Sequence, residues 1–298
     1  MVATDPKVLI KSIDEATHVG QVLDVVKFKE EYNQAIKLIY PDLCKLPGAN
    51  EATAKLNQLK LEFEKGKKYT DESGDFYVNG YWAKYNGDKK LIAKSKDNHD
   101  KLIAVRQKGF DHEHFAKYMP PIYDLASDGS LTIKFDPGIR AVPMSHLKLD
   151  QMKVNWILSR LLEFTGLLNQ IGYSHVGFTP ESVFVVSGDH RIYVTSFYHV
   201  TPVGQKVSTI AGNYKHWYPT TLFDKKIAET FVDIELSKRL SVYLLGDVSG
   251  NGLKLRKDGH KGFVNFVLRH DTNILKCFTD YRTFLTDNFP MKYVPLNI

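Results

Sequence analysis

Apolar residues recur along this chain with two different periods, and the change between them divides it. Phe28, Tyr32, Ala35 and Ile39 are spaced 4, 3 and 4, which makes one stripe along a helix. Tyr40-Pro41-Asp42 stops that helix, because the residue before a proline is pushed out of the α region. A loop containing Pro47-Gly48 follows, and Asn50 is the expected N-cap of a second helix, with Glu51 in its first turn. Ala52, Leu56, Leu59 and Phe63 repeat the same spacing, and Gly66 is the expected C-cap. Two such stripes joined by a short loop predict an antiparallel helix hairpin over residues 27–66. Residues 1–26 have weak periodicity and receive no assignment.

Residues 67–74 are charged and poor in apolar side chains, so they read as a linker. The texture then turns to strands. Asp75 to Tyr85 is rich in aromatic residues, and Asn86-Gly87 is a strong short hairpin signal. Leu91-Ile92-Ala93-Lys94 is the expected next strand. Leu131–Phe135, Val183–Val186 and Arg191–Thr195 are further strand candidates, the last two joined by a turn at Ser187 to His190. Helical patterns dominate what remains: Met152–Asn169, Phe231–Leu245 and Phe263–Phe284. A strand-rich segment before a helix-rich one predicts an α+β protein in two lobes, residues 75–140 and 141–298.

Composition narrows the function classes. The chain has 298 residues, 43% of them apolar and 25% charged, an ordinary balance for a globular protein. No run approaches the roughly 20 apolar residues that span a bilayer. The N-terminal stretch carries Asp5, Asp14 and Glu15 where a signal peptide would hold an apolar core, so a cytoplasmic protein is expected. Cys44 and Cys277 are the only cysteines, which argues against a disulfide framework or a cysteine zinc site; no metal site is expected. The net charge is +6, but 40 basic residues are interleaved with 34 acidic ones. The densest basic run, Lys254 to Lys261, reads as a solvated loop, and nucleic-acid binding is not expected.

The order of elements is itself a pattern. Leu91-Ile92-Ala93-Lys94 and the stretch Ser174-His175-Val176-Gly177-Phe178-Thr179-Pro180-Glu181-Ser182-Val183 resemble the protein-kinase superfamily. The resemblance spans roughly residues 74–298 and implies a bilobed kinase-like fold. It places Lys94 where a kinase lysine holds the α- and β-phosphates, and His175 at the catalytic-loop histidine. Gly177 stands at the catalytic aspartate, Ser182 at the metal-binding asparagine, and Ser196-Phe197-Tyr198 at the metal-binding Asp-Phe-Gly. Asp233 resembles the aspartate that braces the catalytic loop. Without the base and both metal ligands, positioning and charge neutralisation of phosphate lose most of their machinery. No cofactor is expected, and if ATP binds, Lys94 is the residue the resemblance assigns to it.

The N-terminal hairpin has a resemblance of its own. Phe28 to Asp42, and then Ala52 to Leu59, resemble helices II and III of a J domain. In working J domains the intervening loop reads His-Pro-Asp and triggers ATP hydrolysis by DnaK-type chaperones. Here it reads Tyr40-Pro41-Asp42. The first expectation is thus a catalytically inactive kinase-like (pseudokinase) protein that binds a protein partner. Two alternatives stand beside it. One is an atypical ATP-dependent transferase using Lys94 with relocated carboxylates such as Glu181 or Asp189. The other is a co-chaperone of a DnaK-type partner.

Overall fold

Asp5 accepts a hydrogen bond from the Lys7 amide, and Pro6 occupies the first helical position, a start that needs no N–H from the proline. The helix it opens, α1 (Pro6–Glu15), lies in a stretch whose sequence gave no assignment. In this computed structural model, residues 5–189, 191–290 and 295–296 are described. Two single 3-10 turns, Val19–Gln21 and Val25–Lys27, lead from α1 to α2 (Phe28–Ile39). The next helix, α3 (Ala49–Lys65), begins one residue before the expected cap: Gly48 stands at its N-cap with φ 84°. Ile13, Ala35, Ile39, Ala52 and Leu56 are fully buried in one small core. The α2–α3 pair therefore does not stand alone, because α1 supplies a third apolar wall.

The stretch expected to be a linker is a strand. After Gly66 the chain enters β1 (Lys67–Asp71) directly, pairing with β2 (Gly74–Val78). β1 is an edge strand with little buried surface, so its residues are charged and its apolar signal is missing. The aromatic run folds as β2 and β3 (Trp82–Tyr85), with the Asn79 side chain accepting from the Tyr81 and Trp82 amides in the turn.

Asn86-Gly87 is not a hairpin turn. It joins β3 to α4 (Lys89–Ala104), whose N-cap Asp88 accepts from the amides of Lys90 and Leu91. Glycine is required at position 87 by close approach, since a Cβ there would lie 1.5 Å from the Ser73 carbonyl oxygen. Leu91–Lys94 is accordingly helical. Ile92, Ser95, His99 and Leu102 face the core at helical spacing, and the cap outweighs the strand-like run. The short α5 (His112–Ala116) leads to β4 (Ile122–Leu125) and β5 (Leu131–Lys134). The five strands form one antiparallel sheet in the order β1-β2-β3-β5-β4.

Beyond β6 (Ala141–Pro143) helices take over, starting with α6 (Gln151–Gln170). Next come β7 (Tyr173–Ser174), β8 (Val183–Val186), β9 (Ile192–Val194) and β10 (Thr201–Pro202). They form two small sheets, β6-β8-β9 and β7-β10. The chain closes with α7 (Thr220–Lys225), α8 (Thr230–Leu244), α9 (Leu255–Asp258), α10 (Lys261–Leu268) and α11 (Ile274–Asn288).

The single helix expected over 263–284 is broken at residues 269–273. Lys238, fully buried on α8, donates to the Arg269 carbonyl and to Asp271. Its charge demands those partners, and the backbone departs from the helix to provide them. Asn273 then caps α11. A small antiparallel sheet followed by a helical part makes the chain α+β, the arrangement expected of a kinase-like bilobed fold. Among the described residues no helix is long and apolar enough to cross a membrane.

If α1 belongs to the N-terminal core, Ile13→Ala should lower the stability of that part by roughly 2–5 kcal/mol. Urea unfolding with a helix signal reads this directly, and a change under about 0.5 kcal/mol, the range of an innocuous surface substitution, would show that α1 does not pack there.

Candidate functional site

The junction between the sheet and the helical part is built around Asp233. Its carboxylate, fully buried in the first turn of α8, accepts from three donors: the Ser174 hydroxyl at 2.9 Å, the His175 amide at 2.6 Å and the Val176 amide at 2.7 Å. Burial pushes this carboxyl up to about 6, and the three donors oppose the rise. The same bonds hold Val176 at φ 58°, a conformation that a β-branched residue adopts only when its surroundings impose it. The Tyr218 hydroxyl donates to the Val176 carbonyl at 2.8 Å and fixes the other side.

With its backbone so held, His175 points inward. Its Nε2 lies 2.9 Å from the Thr195 carbonyl oxygen. Its ring stacks on Phe178 at 4.7 Å and meets Phe197 edge-on at 6.0 Å. Phe197 in turn packs edge-on against His99 and Tyr123, which stack on each other at 4.4 Å. A column of rings thus runs from the helical part into the sheet. Burial drives the His175 imidazole down to about 3, so near neutral pH the ring is uncharged and serves as a packing element.

Side chains from the sheet reach across to this loop. Tyr85, buried at the end of β3, reaches Thr195 with its hydroxyl at 3.4 Å from the threonine Oγ1. The β1–β2 turn brings two acids down to the same place. Asp71 accepts from the Ser73 amide and hydroxyl and from the Ser196 hydroxyl at 3.2 Å. Glu72 accepts from the Gly212 amide at 2.8 Å and the Tyr198 hydroxyl at 3.4 Å, and lies 3.5 Å from His199 Nε2. Burial raises the Asp71 carboxyl. For Glu72 burial acts in the same sense, but His199 and the Gly212 amide outweigh it and hold that carboxyl below its usual range.

Each residue named from the sequence has a definite place. Lys94 is on α4, not on a strand, and its ammonium donates to the Ser208 hydroxyl at 2.7 Å; burial lowers its pKa. The helical start imposed by Asp88 removes it from the position a strand lysine would hold. Gly177 lies under His199, and a Cβ there would sit 2.2 Å from the imidazole ring. The Ser182 hydroxyl donates to the Gly177 carbonyl at 2.8 Å and receives the Thr179 amide, so it closes the loop on itself. Ser196 has φ 54° and ties to Asp71.

Glu181 accepts from Ser145 and Tyr214, while Asp189 sits beyond the far end of β8, beside Arg191. The two carboxylates are not brought together. Among the described residues no group of three or more His, Cys, Asp or Glu side chains could hold a metal ion. In the N-terminal helices, Tyr40 is about half exposed, and its carbonyl accepts the Leu43 and Cys44 amides, so Pro41 and Asp42 form a tight turn after α2.

Tyr85, Asp71, Glu72 and His199 went unnoticed in the sequence. The two acids were hidden in the charged stretch, although Asp71-Glu72-Ser73-Gly74 has the composition of a tight turn. Nothing local marks Tyr85 or His199.

No family model matches this chain, and no curated protein matches it. Among solved structures it is similar to vaccinia related kinase 3, at 11% identity over 75% of this chain and 91% of that one, with a TM-score of 0.44.

Two outcomes follow from the geometry. Gly177→Asp should not create a catalytic base. It should destabilise the fold by about 1–3 kcal/mol or more through overpacking against His199, read as a lower melting temperature with no phosphate transfer gained. An unshifted melting curve would mean that the loop has room. The second concerns His175, whose unfolded pKa near 6.5 falls to about 3 in the fold. Falling pH protonates the unfolded chain first, so this group costs stability as pH drops from 6.5 towards 3. Asp233, raised from 3.8 to about 6, acts in the opposite sense between those two values, because there the folded state takes the proton first. In an NMR titration the His175 ring should stay neutral at about pH 5, and a midpoint above about 6 would contradict the packing described.

Proposed function

We propose that this chain is a kinase-like protein that does not transfer phosphate and acts as an interaction or regulatory module. The observation that carries this reading is the set of acidic ties across the junction between sheet and helices. Phosphoryl transfer needs a place for three phosphates, a cation to neutralise them and a carboxylate near the attacking hydroxyl. Here the turn nearest that place carries Asp71 and Glu72, which repel phosphate, and both are hydrogen-bonded to the opposite side. The position that would carry the carboxylate has no volume for one. An enzyme built on Lys94 is disfavoured by its place on α4 and its bond to Ser208.

The N-terminal helices fit the same reading as a partner-binding surface, with Tyr40 and Leu43 exposed at the turn after α2. Thermal unfolding with and without ATP and Mg²⁺ tests the central claim. No shift is expected, whereas stabilisation by several degrees, as ligand linkage would give, would overturn it in favour of a nucleotide-binding protein.

A further inference from the structure

The solvent face of the five-stranded sheet is not uniformly polar. Side chains alternate across a strand, and the register sorts them: Phe76, Val78, Ala83, Tyr85 and Ile133 share the inner face and are buried. The same pairing gathers Tyr77, Trp82, Lys84 and Lys134 on the other face. Lys84 lies directly across from Tyr77, and Lys134 directly across from Trp82. We propose that this face binds single-stranded nucleic acid, with successive bases stacked on Tyr77 and Trp82 and the phosphates met by Lys84 and Lys134.

Each ring thus has a lysine as its cross-strand neighbour, at about 4.5–5.5 Å between Cβ atoms. Tyr77 and Trp82 are themselves diagonal neighbours on β2 and β3, roughly 7–8 Å apart. Two aromatic side chains on adjacent strands of an open antiparallel sheet are the device by which RNA-binding sheets stack bases, and such platforms tolerate any sequence because every base has a flat face. Both rings are half-buried, and among the described residues neither packs against another ring, so each keeps surface for a base. Lys84 and Lys134 are exposed, and neither is in a salt bridge among the described residues.

Three carboxylates stand near. Asp75 is taken up by Lys68 at 2.7 Å and by the Thr70 hydroxyl at 2.9 Å. Asp128, in the β4–β5 turn, is shared between Lys84 and Lys89, and Asp124 lies on the edge strand β4, across from Thr132. The face is therefore only mildly basic, and stacking must supply most of the affinity. A single strand can offer unstacked bases to both rings, whereas a duplex keeps its bases paired and stacked. The balance of charge over the whole chain conceals this grouping, because the four residues come from three strands and only the register brings them together. The face lies on the opposite side of the sheet from Tyr85 and the junction, so it does not depend on what binds there.

Fluorescence anisotropy on the full chain tests the proposal with labelled oligothymidylate as the single strand, its duplex with oligoadenylate, and polyglutamate as a competitor that offers charge without bases. The single strand should bind with a Kd of about 100 μM or tighter at physiological salt. The duplex should bind at least about 5-fold more weakly, and polyglutamate at equal charge should not displace the strand. Tyr77→Thr and Trp82→Thr, which keep β-forming residues, should each weaken binding at least about 5-fold. Lys84→Gln and Lys134→Gln should each reduce the slope of log K against log salt by about 0.7. A weaker Kd, equal affinity for the duplex or displacement by polyglutamate would overturn the proposal. So would an affinity that Tyr77→Thr leaves unchanged, a slope that neither lysine variant alters, or binding lost instead on Lys254→Gln and Lys257→Gln in the basic loop. If Trp82→Thr does not fold, Tyr77→Thr and the two lysine variants decide the question alone.

Discussion

The fold depends on one buried carboxylate. Asp233 has no exposed surface, and an ionised group without water must find donors or cost several kcal/mol. It cannot move to find them, because α8 is packed on nearly every side. The chain at the end of β7 must therefore come to it, and Ser174, His175 and Val176 do so in succession. The cost is a β-branched residue at positive φ, on the order of 1–3 kcal/mol. The return is a fixed direction for His175, whose ring then supports Phe197, and through it His99 and Tyr123. A column of rings joining sheet to helices rests on the placement of two backbone amides.

Around that column the two parts of the chain are tied by bonds of ordinary strength. Tyr85 meets Thr195, Asp71 meets Ser196, Glu72 meets Tyr198 and Gly212, Lys94 meets Ser208, and Asn98 donates to the carbonyls of Phe197 and Val200. Each is worth about 0.5–1.5 kcal/mol net, more where a charge takes part. Their effect lies in their joint occupancy. Most of the polar groups named here are bonded across the junction, although Nδ1 of His175 is buried without a partner among the described residues, and a phosphate entering there would have to break several of these ties while facing two carboxylates.

What could be read from the sequence was whatever has a local cause. The stripes at Phe28–Ile39 and Ala52–Phe63 mark α2 and α3, because a helix that buries one face must repeat its apolar residues every three or four positions. The valine run at 183–186 is equally plain, since β8 is buried throughout. The errors fall where distant contacts decide. Lys94 follows an apolar triplet that suits a strand, yet Asp88 caps a helix there. Gly87 carries a turn signal, but its purpose is to let the Ser73 carbonyl pass. The break between α10 and α11 answers to Lys238, about thirty residues earlier. The candidate site was half legible for the same reason. His175, Gly177 and Ser182 sit in one contiguous motif, whereas Tyr85 and Glu72 reach it only after the sheet has folded over the helices.

The stretch taken for a linker has the largest mechanical consequence. A flexible connection would leave the N-terminal helices free to reorient. Instead α3 passes through Gly66 into β1, Asn79 donates to the Phe63 carbonyl at 2.7 Å, and Phe63 packs edge-on against Tyr81. β1 is thus shared. One end continues α3, and the other carries Asp71 and Glu72 into the junction below the sheet. At about 3.3 Å per residue, a strand of five residues separates the two by little more than 15 Å. A strand hydrogen-bonded along its length to β2 does not bend independently of the sheet, so a displacement of α3 and a displacement of the acidic turn are the same motion. Independent movement of the helices would require β1 to leave the sheet, at the cost of its ladder and of the ties that Asp71 and Glu72 make.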